Sequence, residues 1–167
     1  MLSILNNEVI FSQVVSLKRK FHNEELLYFS YFFKITQIKP TTIIIQDNFL
    51  FFLVKNEDYI VARAFLKKMR QRLRHYKVLL IREESTLLRL IFSFFPDTYI
   101  HDVELNRDPF SKNMIITLFF IFDLDRGIAV GNKGCYINTI NFIFNNSVNY
   151  QLNGKSKIKI QCKRLYL

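Results

Sequence analysis

Glycine is rare in this chain, and its placement is the strongest local constraint on the fold. Three of the four glycines lie between residues 123 and 134, at Gly127, Gly131 and Gly134. Glycine reaches positive φ angles at little steric cost, so such a cluster indicates a tight loop whose backbone can be closely approached. A short apolar stretch, Ile128–Val130, precedes Gly131, and a segment with helical spacing follows Gly134 directly.

The segments around this loop predict a mixed α+β fold. Apolar residues recur at helical spacing on one side of the loop, and short runs alternate or are continuously apolar on the other. The predicted order is helix, strand, strand, glycine loop, helix, strand. The corresponding ranges are 83–95, 100–106, 114–122, 123–134, 135–145 and 157–163.

The N-terminal half predicts a helical segment followed by a small β-rich unit. Residues 1–28 have helical spacing, whereas residues 29–82 contain several short strands separated by turns, which is typical of an OB-type β-barrel. Within that unit, Val61–Arg74 has the spacing of an amphipathic helix. We therefore expect three parts, at residues 1–28, 29–82 and 83–167, and the sequence shows no internal repeat.

The charge is strongly positive and unevenly distributed. The net charge is +10 and the isoelectric point is near 9.7. Two basic blocks, Tyr59–Arg82 and Arg126–Leu167, contain no Asp or Glu. One such block is ordinarily a solvated face, but two favour binding to a nucleic acid. A membrane-surface helix around Arg63–Arg74 is an alternative.

The segment Gly131-Asn132-Lys133-Gly134 has the form of the G-x-x-G loop of KH domains, which clamps the backbone of about four nucleotides. The glycines would let a phosphate approach the main chain, and the following helix would add oriented N–H groups. Neighbouring cations and apolar side chains, with Ile140 in the apolar floor, would complete the interface. The candidate RNA-binding residues are Arg126, Ile128, Val130, Gly131, Asn132, Lys133, Gly134, Tyr136, Ile137, Lys155, Lys157 and Lys159.

The sequence around this loop resembles the NusA transcription factor family. The family's first KH domain has a loop of the form V-G-x-K-G-x-R-V-x-x-I, and Val130–Ile140 is similar to it. The family's R-E-P turn and its L-R-K-L-F helix have counterparts in Arg107–Lys112 and Leu88–Phe92. The resemblance implies a type II KH domain (α-β-β-α-α-β) in residues 83–167. More faintly, it implies an OB-type RNA-binding domain in residues 29–82.

The resemblance has gaps. Tyr136 stands where the family has an arginine, which replaces a cation with a ring that could stack on a base. The glycines of the family's OB-type domain are missing. The family's polymerase-binding domain is absent or reduced to residues 1–28, and its second KH domain is absent from the predicted elements.

The resemblance implies an RNA-binding, NusA-like transcription factor that holds nascent single-stranded RNA at an RNA polymerase. The alternative is a structural or assembly component of an organellar ribosomal small subunit. The 18 Phe residues and the runs of Phe, Ile, Asn and Lys are typical of an AT-rich organellar genome. We therefore expect a plastid (chloroplast) protein that is encoded in the organelle, with the mitochondrion as the alternative.

Other functions have little support in the sequence. No nucleophile triad and no phosphate-binding G-x-x-x-x-G-K motif is present, so we expect no enzyme activity and no small-molecule substrate or cofactor. The two cysteines and three histidines lack metal-ligand spacing, so we expect free thiols and no metal site. The longest apolar run, Met114–Phe122, is shorter than the roughly 20 residues that a transmembrane helix needs.

Overall fold

The computed structural model describes residues 2–19, 21–150 and 157–167. The helices within these ranges are α1 (Leu2–Phe11), α2 (Asn23–Thr36), α3 (Tyr59–Arg63), α4 (Leu66–Arg72), α5 (Leu87–Ser93), α6 (Asp123–Val130) and α7 (Cys135–Asn146). The strands are β1 (Val15–Leu17), β2 (Thr42–Gln46), β3 (Phe49–Val54), β4 (Lys77–Arg82), β5 (Asp102–Arg107), β6 (Met114–Phe120), β7 (Val148–Tyr150) and β8 (Ile158–Arg164). The fold is therefore α+β, as predicted.

The chain divides into two compact units, which are named here after their strands. The β2–β4 unit comprises Leu17–Ser85 and Arg89–Pro96. The β5–β8 unit comprises Met1–Ser16, Thr86–Leu88 and Asp97–Leu167. Each unit contains one three-stranded mixed sheet.

The sheet of the β2–β4 unit has the strand order β2-β3-β4. β2 and β3 are antiparallel and joined by a short turn, whereas β3 and β4 are parallel. A parallel pair needs a crossover connection, and α3 and α4 provide it. All six residues of β3 are buried, which is why the central strand reads as the uninterrupted apolar run Phe-Leu-Phe-Phe-Leu-Val.

The core of the β2–β4 unit is rich in aromatic side chains. On one face of β3, Phe52 packs against Phe32 of α2, with 4.7 Å between ring centroids. On the other face, Phe51 meets Phe94, which directly follows α5, edge to face at 5.6 Å. Met69 of α4 is fully buried in the first of these cores. Both faces of the sheet are therefore packed, and the apolar face of α4 lies inward.

The OB-type barrel expected for residues 29–82 is not observed in the described part of the chain. That expectation was wrong for a physical reason. A barrel strand alternates inward and outward residues, whereas Phe49–Val54 is apolar throughout and lies at the centre of an open mixed sheet. Residues 29–36, the start of the range expected to be β-rich, are the second half of α2 instead. Tyr28, Phe32 and Thr36, spaced four residues apart in α2, form its buried face.

The β5–β8 unit has a sheet with the strand order β5-β6-β8. β5 and β6 are antiparallel, and β6 and β8 are parallel with Met114 opposite Ile158 and Phe120 opposite Arg164. The connection from β6 to β8 contains α6 and α7, which both pack near β8. The glycine loop is the junction between these two helices.

The two units share one topology, which the sequence alone did not reveal. In each, an antiparallel strand pair is followed by two helices, which lead to a last strand that is parallel to the central one. The element order is α2-β2-β3-α3-α4-β4 in one unit. In the other it is β5-β6-α6-α7-β8, with β7 inserted before β8, and most of α5, which precedes β5 in the chain, belongs to the β2–β4 unit. The expectation of no internal repeat was therefore wrong at the level of topology.

Several local predictions are confirmed. β5, β6 and β8 lie within one or two residues of the expected strands, and α7 covers the expected helix. Two were wrong. Residues 1–28 do not form one helix, because the β-branched pair Val14 and Val15 enters an extended segment. Residues 123–130 form α6 rather than a loop, and the acids in its first turn suit the positive end of the helix dipole.

The open edge of β8 is closed by two asparagines of α7. Asn141 Nδ2 donates to Ile160 O at 2.9 Å, and its Oδ1 accepts from Ile160 N at 2.6 Å. One helical turn later, Asn145 makes the same pair of bonds to Ile158, at 2.8 and 3.0 Å. Each side-chain amide thus replaces a neighbouring strand, and together they fix α7 along β8.

Replacing Asn141 with Ala should lower the free energy of unfolding by about 1–3 kcal/mol, because the buried strand residue Ile160 loses the partners of both its N–H and its C=O group. Urea denaturation followed by circular dichroism measures the change. Asn146→Ala is the matched control, since Asn146 is exposed and bonds only within its helix, to Phe142 O. Equal losses in the two variants would contradict the structural role of Asn141.

Candidate nucleic-acid interface

The glycine loop is a compact reversal between α6 and α7. Gly131 N donates to Gly127 O at 2.9 Å and ends α6, and Gly134 N donates back to Gly131 O at 3.2 Å. Gly131, Lys133 and Gly134 all have positive φ angles, of 77°, 53° and 75°. The loop therefore holds its shape by backbone conformation.

Close packing explains why residue 131 is glycine. A Cβ atom there would lie 2.8 Å from both the backbone nitrogen and the Cβ of Tyr136, and 3.1 Å from Cys135 Sγ. The first turn of α7 thus approaches the main chain of Gly131 directly. Gly134 has room for a Cβ, with its nearest contact 3.6 Å away at Asn138, so its φ angle alone favours glycine.

Two polar side chains extend from the tip of the loop. Asn132 and Lys133 are both exposed, and they lie immediately before the N-terminus of α7. Lysine is strained at a positive φ angle, and such strain is retained where the surrounding structure imposes it, often at binding sites. The arrangement places a cation beside the positive end of a helix, where an anion would be stabilised.

An exposed apolar surface lies beside the loop on α6. Leu124 and Ile128 are 75 % and 47 % exposed and are one helical turn apart, so they share a face. Val130 and Ile137 are partly buried, whereas Ile140 is fully buried in the core and is not available as part of a floor for bases. Sequence reasoning missed Leu124 because residues 123–130 were taken as loop rather than helix.

Tyr136 does not offer a stacking ring, which corrects the expectation for this residue. Its side chain is buried, and burial together with the nearby charge of Asp97 raises the pKa of its hydroxyl well above the usual range. The ring packs inward where α7 meets Gly131. Tyr136 therefore packs on the buried side of the loop, and its ring is not available for contact with a ligand.

The candidate RNA-binding cations other than Lys133 lie in two separate places on the β5–β8 unit. Arg126 of α6 lies near Cys162 of β8: burial raises the pKa of that thiol to about 12, and the Arg126 charge opposes this rise. The salt bridge from Arg164 Nη1 to Asp123 Oδ1, at 3.5 Å, likewise places the end of β8 beside the start of α6.

Lys157 and Lys159 lie at the other end of β8, away from the loop. Lys157 N donates to Asn113 Oδ1 at 3.3 Å, in the turn between β5 and β6. Asn145, which holds the start of β8, is ten residues along α7 from Cys135, or about 15 Å from the loop end of that helix. Lys155 lies outside the described residues. The structure thus separates these lysines from Lys133.

Comparison with known proteins supports the fold alone. No protein-family profile matches the chain, and no curated protein is significantly similar to it. Among the solved structures that match is the crystal structure of APE1850, with a TM-score of 0.57 and 24 % sequence identity. The match covers 84 % of this chain and 99 % of that chain. At this identity the likeness concerns the fold alone, and it extends over more residues than either unit contains.

Two negative findings in the described residues bear on the site. They contain no group of three or more His, Cys, Asp and Glu side chains that could hold a metal ion. Among the helices described above, none combines the length and apolar character that crossing a bilayer requires.

The three glycines of this region should respond differently to alanine. Gly131→Ala should cost at least about 2 kcal/mol of unfolding free energy, because its Cβ would collide with the backbone of Tyr136 and because the φ angle of residue 131 is positive. Gly134→Ala should cost about 1–2 kcal/mol from its φ angle alone. Gly127→Ala should stabilise by up to about 1 kcal/mol, since it lies in a helix with open space around it. Urea denaturation of the three variants tests this order, and a Gly131→Ala variant as stable as the wild type would contradict the packing described.

Proposed function

We propose that the β5–β8 unit is a type II KH module that binds single-stranded RNA at Gly131–Gly134. The observation that carries the proposal is the run of positive φ angles at Gly131, Lys133 and Gly134, at the junction of two helices. The order β-β-α-α-β within the unit, which α5 precedes in the chain, and the central position of β6 support it. The resemblance of Val130–Ile140 to the NusA loop supports it independently of the geometry.

The proposed mode of binding uses main chain more than side chains. A phosphate near the loop would meet glycine backbone without a Cβ, the positive end of the α7 dipole and the Lys133 ammonium group. Bases leaving the clamp would lie on the exposed apolar face that Leu124 and Ile128 form. Arg126, exposed on the same helix, would add charge for the neighbouring phosphates.

We further propose that the β2–β4 unit is a KH-like unit without a clamp. Its helix junction, at Ala64 and Phe65, has right-handed backbone angles and no glycine. In place of a backbone clamp, α4 and the residues that follow it expose a series of cations, which suits sequence-independent attraction of phosphates. These exposed cations are Lys67, Lys68, Arg70, Arg72 and Arg74.

For the cellular role, we propose a NusA-like transcription factor that holds nascent RNA at an organellar RNA polymerase, in the plastid. The similarity of Arg107–Lys112 and Leu88–Phe92 to NusA segments supports this role. The second candidate is a component of an organellar ribosomal small subunit. The basic face of the β2–β4 unit would serve equally well against ribosomal RNA.

The loop proposal is tested by the double variant Asn132→Asp and Lys133→Asp. It should bind single-stranded RNA at least about tenfold more weakly, because two carboxylates would face the phosphate where a cation and an amide now lie. Aspartate tolerates a positive φ angle, so the fold should be retained. Fluorescence anisotropy with a labelled RNA measures the affinity, and circular dichroism checks the fold.

The matched control is the double variant Lys55→Asp and Asn56→Asp. It makes the same change of charge at two exposed residues of the β2–β4 unit, next to Glu57 and Asp58. Its affinity should change much less than that of the loop variant. Equal weakening in both would mean that overall charge, and not the loop, governs binding.

The cellular role is tested by affinity isolation of the tagged protein from its organelle, with nuclease treatment before mass spectrometry. Polymerase subunits retained after nuclease are the expected result, because a transcription factor must contact the enzyme itself. A full set of small-subunit ribosomal proteins would instead assign the protein to the ribosome. A mock isolation from untagged organelles is the control.

A further inference from the structure

The turn between β5 and β6 exposes a whole aromatic ring. Phe110 is 96 % exposed, the most exposed of the large apolar side chains in the described residues. Its neighbours Pro109 and Ser111 are exposed as well, so the ring stands at the tip of the turn. No packing within the β5–β8 unit accounts for a phenylalanine in this position, and a polar residue would serve a solvent-exposed turn better.

The turn that holds Phe110 is well ordered by hydrogen bonds. The Asp108 carboxylate accepts from Phe110 N at 3.0 Å and from Ser111 Oγ at 2.7 Å. Asp108 N donates to Asn113 O, and Lys112 N donates to Asp108 O, both at 2.9 Å. A ring presented on a preorganised turn loses little conformational entropy when it binds a partner.

Cations surround this turn. Arg107, Lys112, Lys157 and Lys159 are all exposed. The sheet register brings them to one end, because Arg107 is opposite Met114 and Met114 is opposite Ile158. The acid of the turn, Asp108, directs both carboxylate oxygens to donors within the turn. The hydrogen bonds from Ser111 and Phe110 lower the pKa of this carboxyl, and the charge of Lys159 adds to the effect.

We propose that Phe110 is a stacking platform for an unpaired base of single-stranded RNA, with Arg107, Lys112 and Lys159 holding the adjacent phosphates. An exposed aromatic ring among cations matches the way in which single strands are bound without sequence preference. This second site rests on the proposed RNA-binding function and lengthens the bound strand. The glycine loop clamps about four nucleotides, and this turn lies about one length of α7 away from it.

The absence of tryptophan from the chain makes the test direct. In Phe110→Trp, the introduced indole is the only one, and stacking on a base should quench its fluorescence. We expect an RNA of about 12 nucleotides to quench it with the same midpoint that anisotropy gives. Phe110→Ala should weaken the binding of that RNA by about tenfold, the usual effect of removing one stacked ring.

Leu27→Trp is the matched control. Leu27 is 64 % exposed on α2 of the β2–β4 unit, beside the acids Glu24 and Glu25, where RNA should not bind. Its indole should keep its fluorescence when RNA is added. Quenching in both variants would show an effect unrelated to stacking at residue 110 and would overturn the proposal.

The outcomes separate this site from the glycine loop. If RNA binds by anisotropy, the loop variant weakens it and Phe110→Trp is not quenched, the second site is wrong and the proposed function stands. If wild-type protein does not bind RNA, both are wrong. Vesicles of phosphatidylserine and phosphatidylcholine test a lipid surface. A blue shift of the Phe110→Trp emission with vesicles, without quenching by RNA, would assign the ring to a membrane and overturn the proposal.

Discussion

Parallel pairing of the central strand with the last strand determines the rest of each unit. β6 and β8 run in the same direction, so the chain must return from the end of one to the start of the other. It does so through α6 and α7, and two helices in one crossover require a sharp junction between them. The candidate site is that junction. The glycine loop is thus a consequence of the sheet topology as well as a feature of the local sequence.

α7 is the element that holds the candidate site in a fixed position on the β5–β8 unit. Asn141 and Asn145 tie it to the edge of β8, and the main chain of Gly131 admits its first turn at van der Waals distance. The burial of Tyr136 belongs to the same contact. A loop mounted on a helix that is held in this way has few conformations open to it, so a ligand there would meet donors and charges already in place.

The parts of the fold that were predictable from sequence are those with a local signal. The alternation of Lys and Ile predicted β8, and the spacing of the glycines predicted the loop. The features that could not be predicted depend on contacts between residues that are distant in the chain. Whether Phe49–Val54 is a barrel strand or a central strand is decided by its parallel pairing with Lys77–Arg82. Whether Tyr136 points outward is decided by how closely α7 approaches Gly131. For α6 the apolar pair Leu124 and Ile128, one helical turn apart, was a local signal for a helix. Gly127 between them favoured the prediction of a loop instead.

The proposed RNA binding would use one topology for two kinds of contact with a polyanion. In the β5–β8 unit the helix junction is left-handed and glycine-rich, so the backbone itself can lie against a phosphate. In the β2–β4 unit the junction at Ala64 is right-handed, and the cations of α4 extend outward on long side chains instead. Backbone contact demands one geometry of the ligand, whereas flexible lysines and arginines accept many. If both units bind RNA, the first kind of contact would set where the strand is gripped, and the second would raise the affinity for any strand already there.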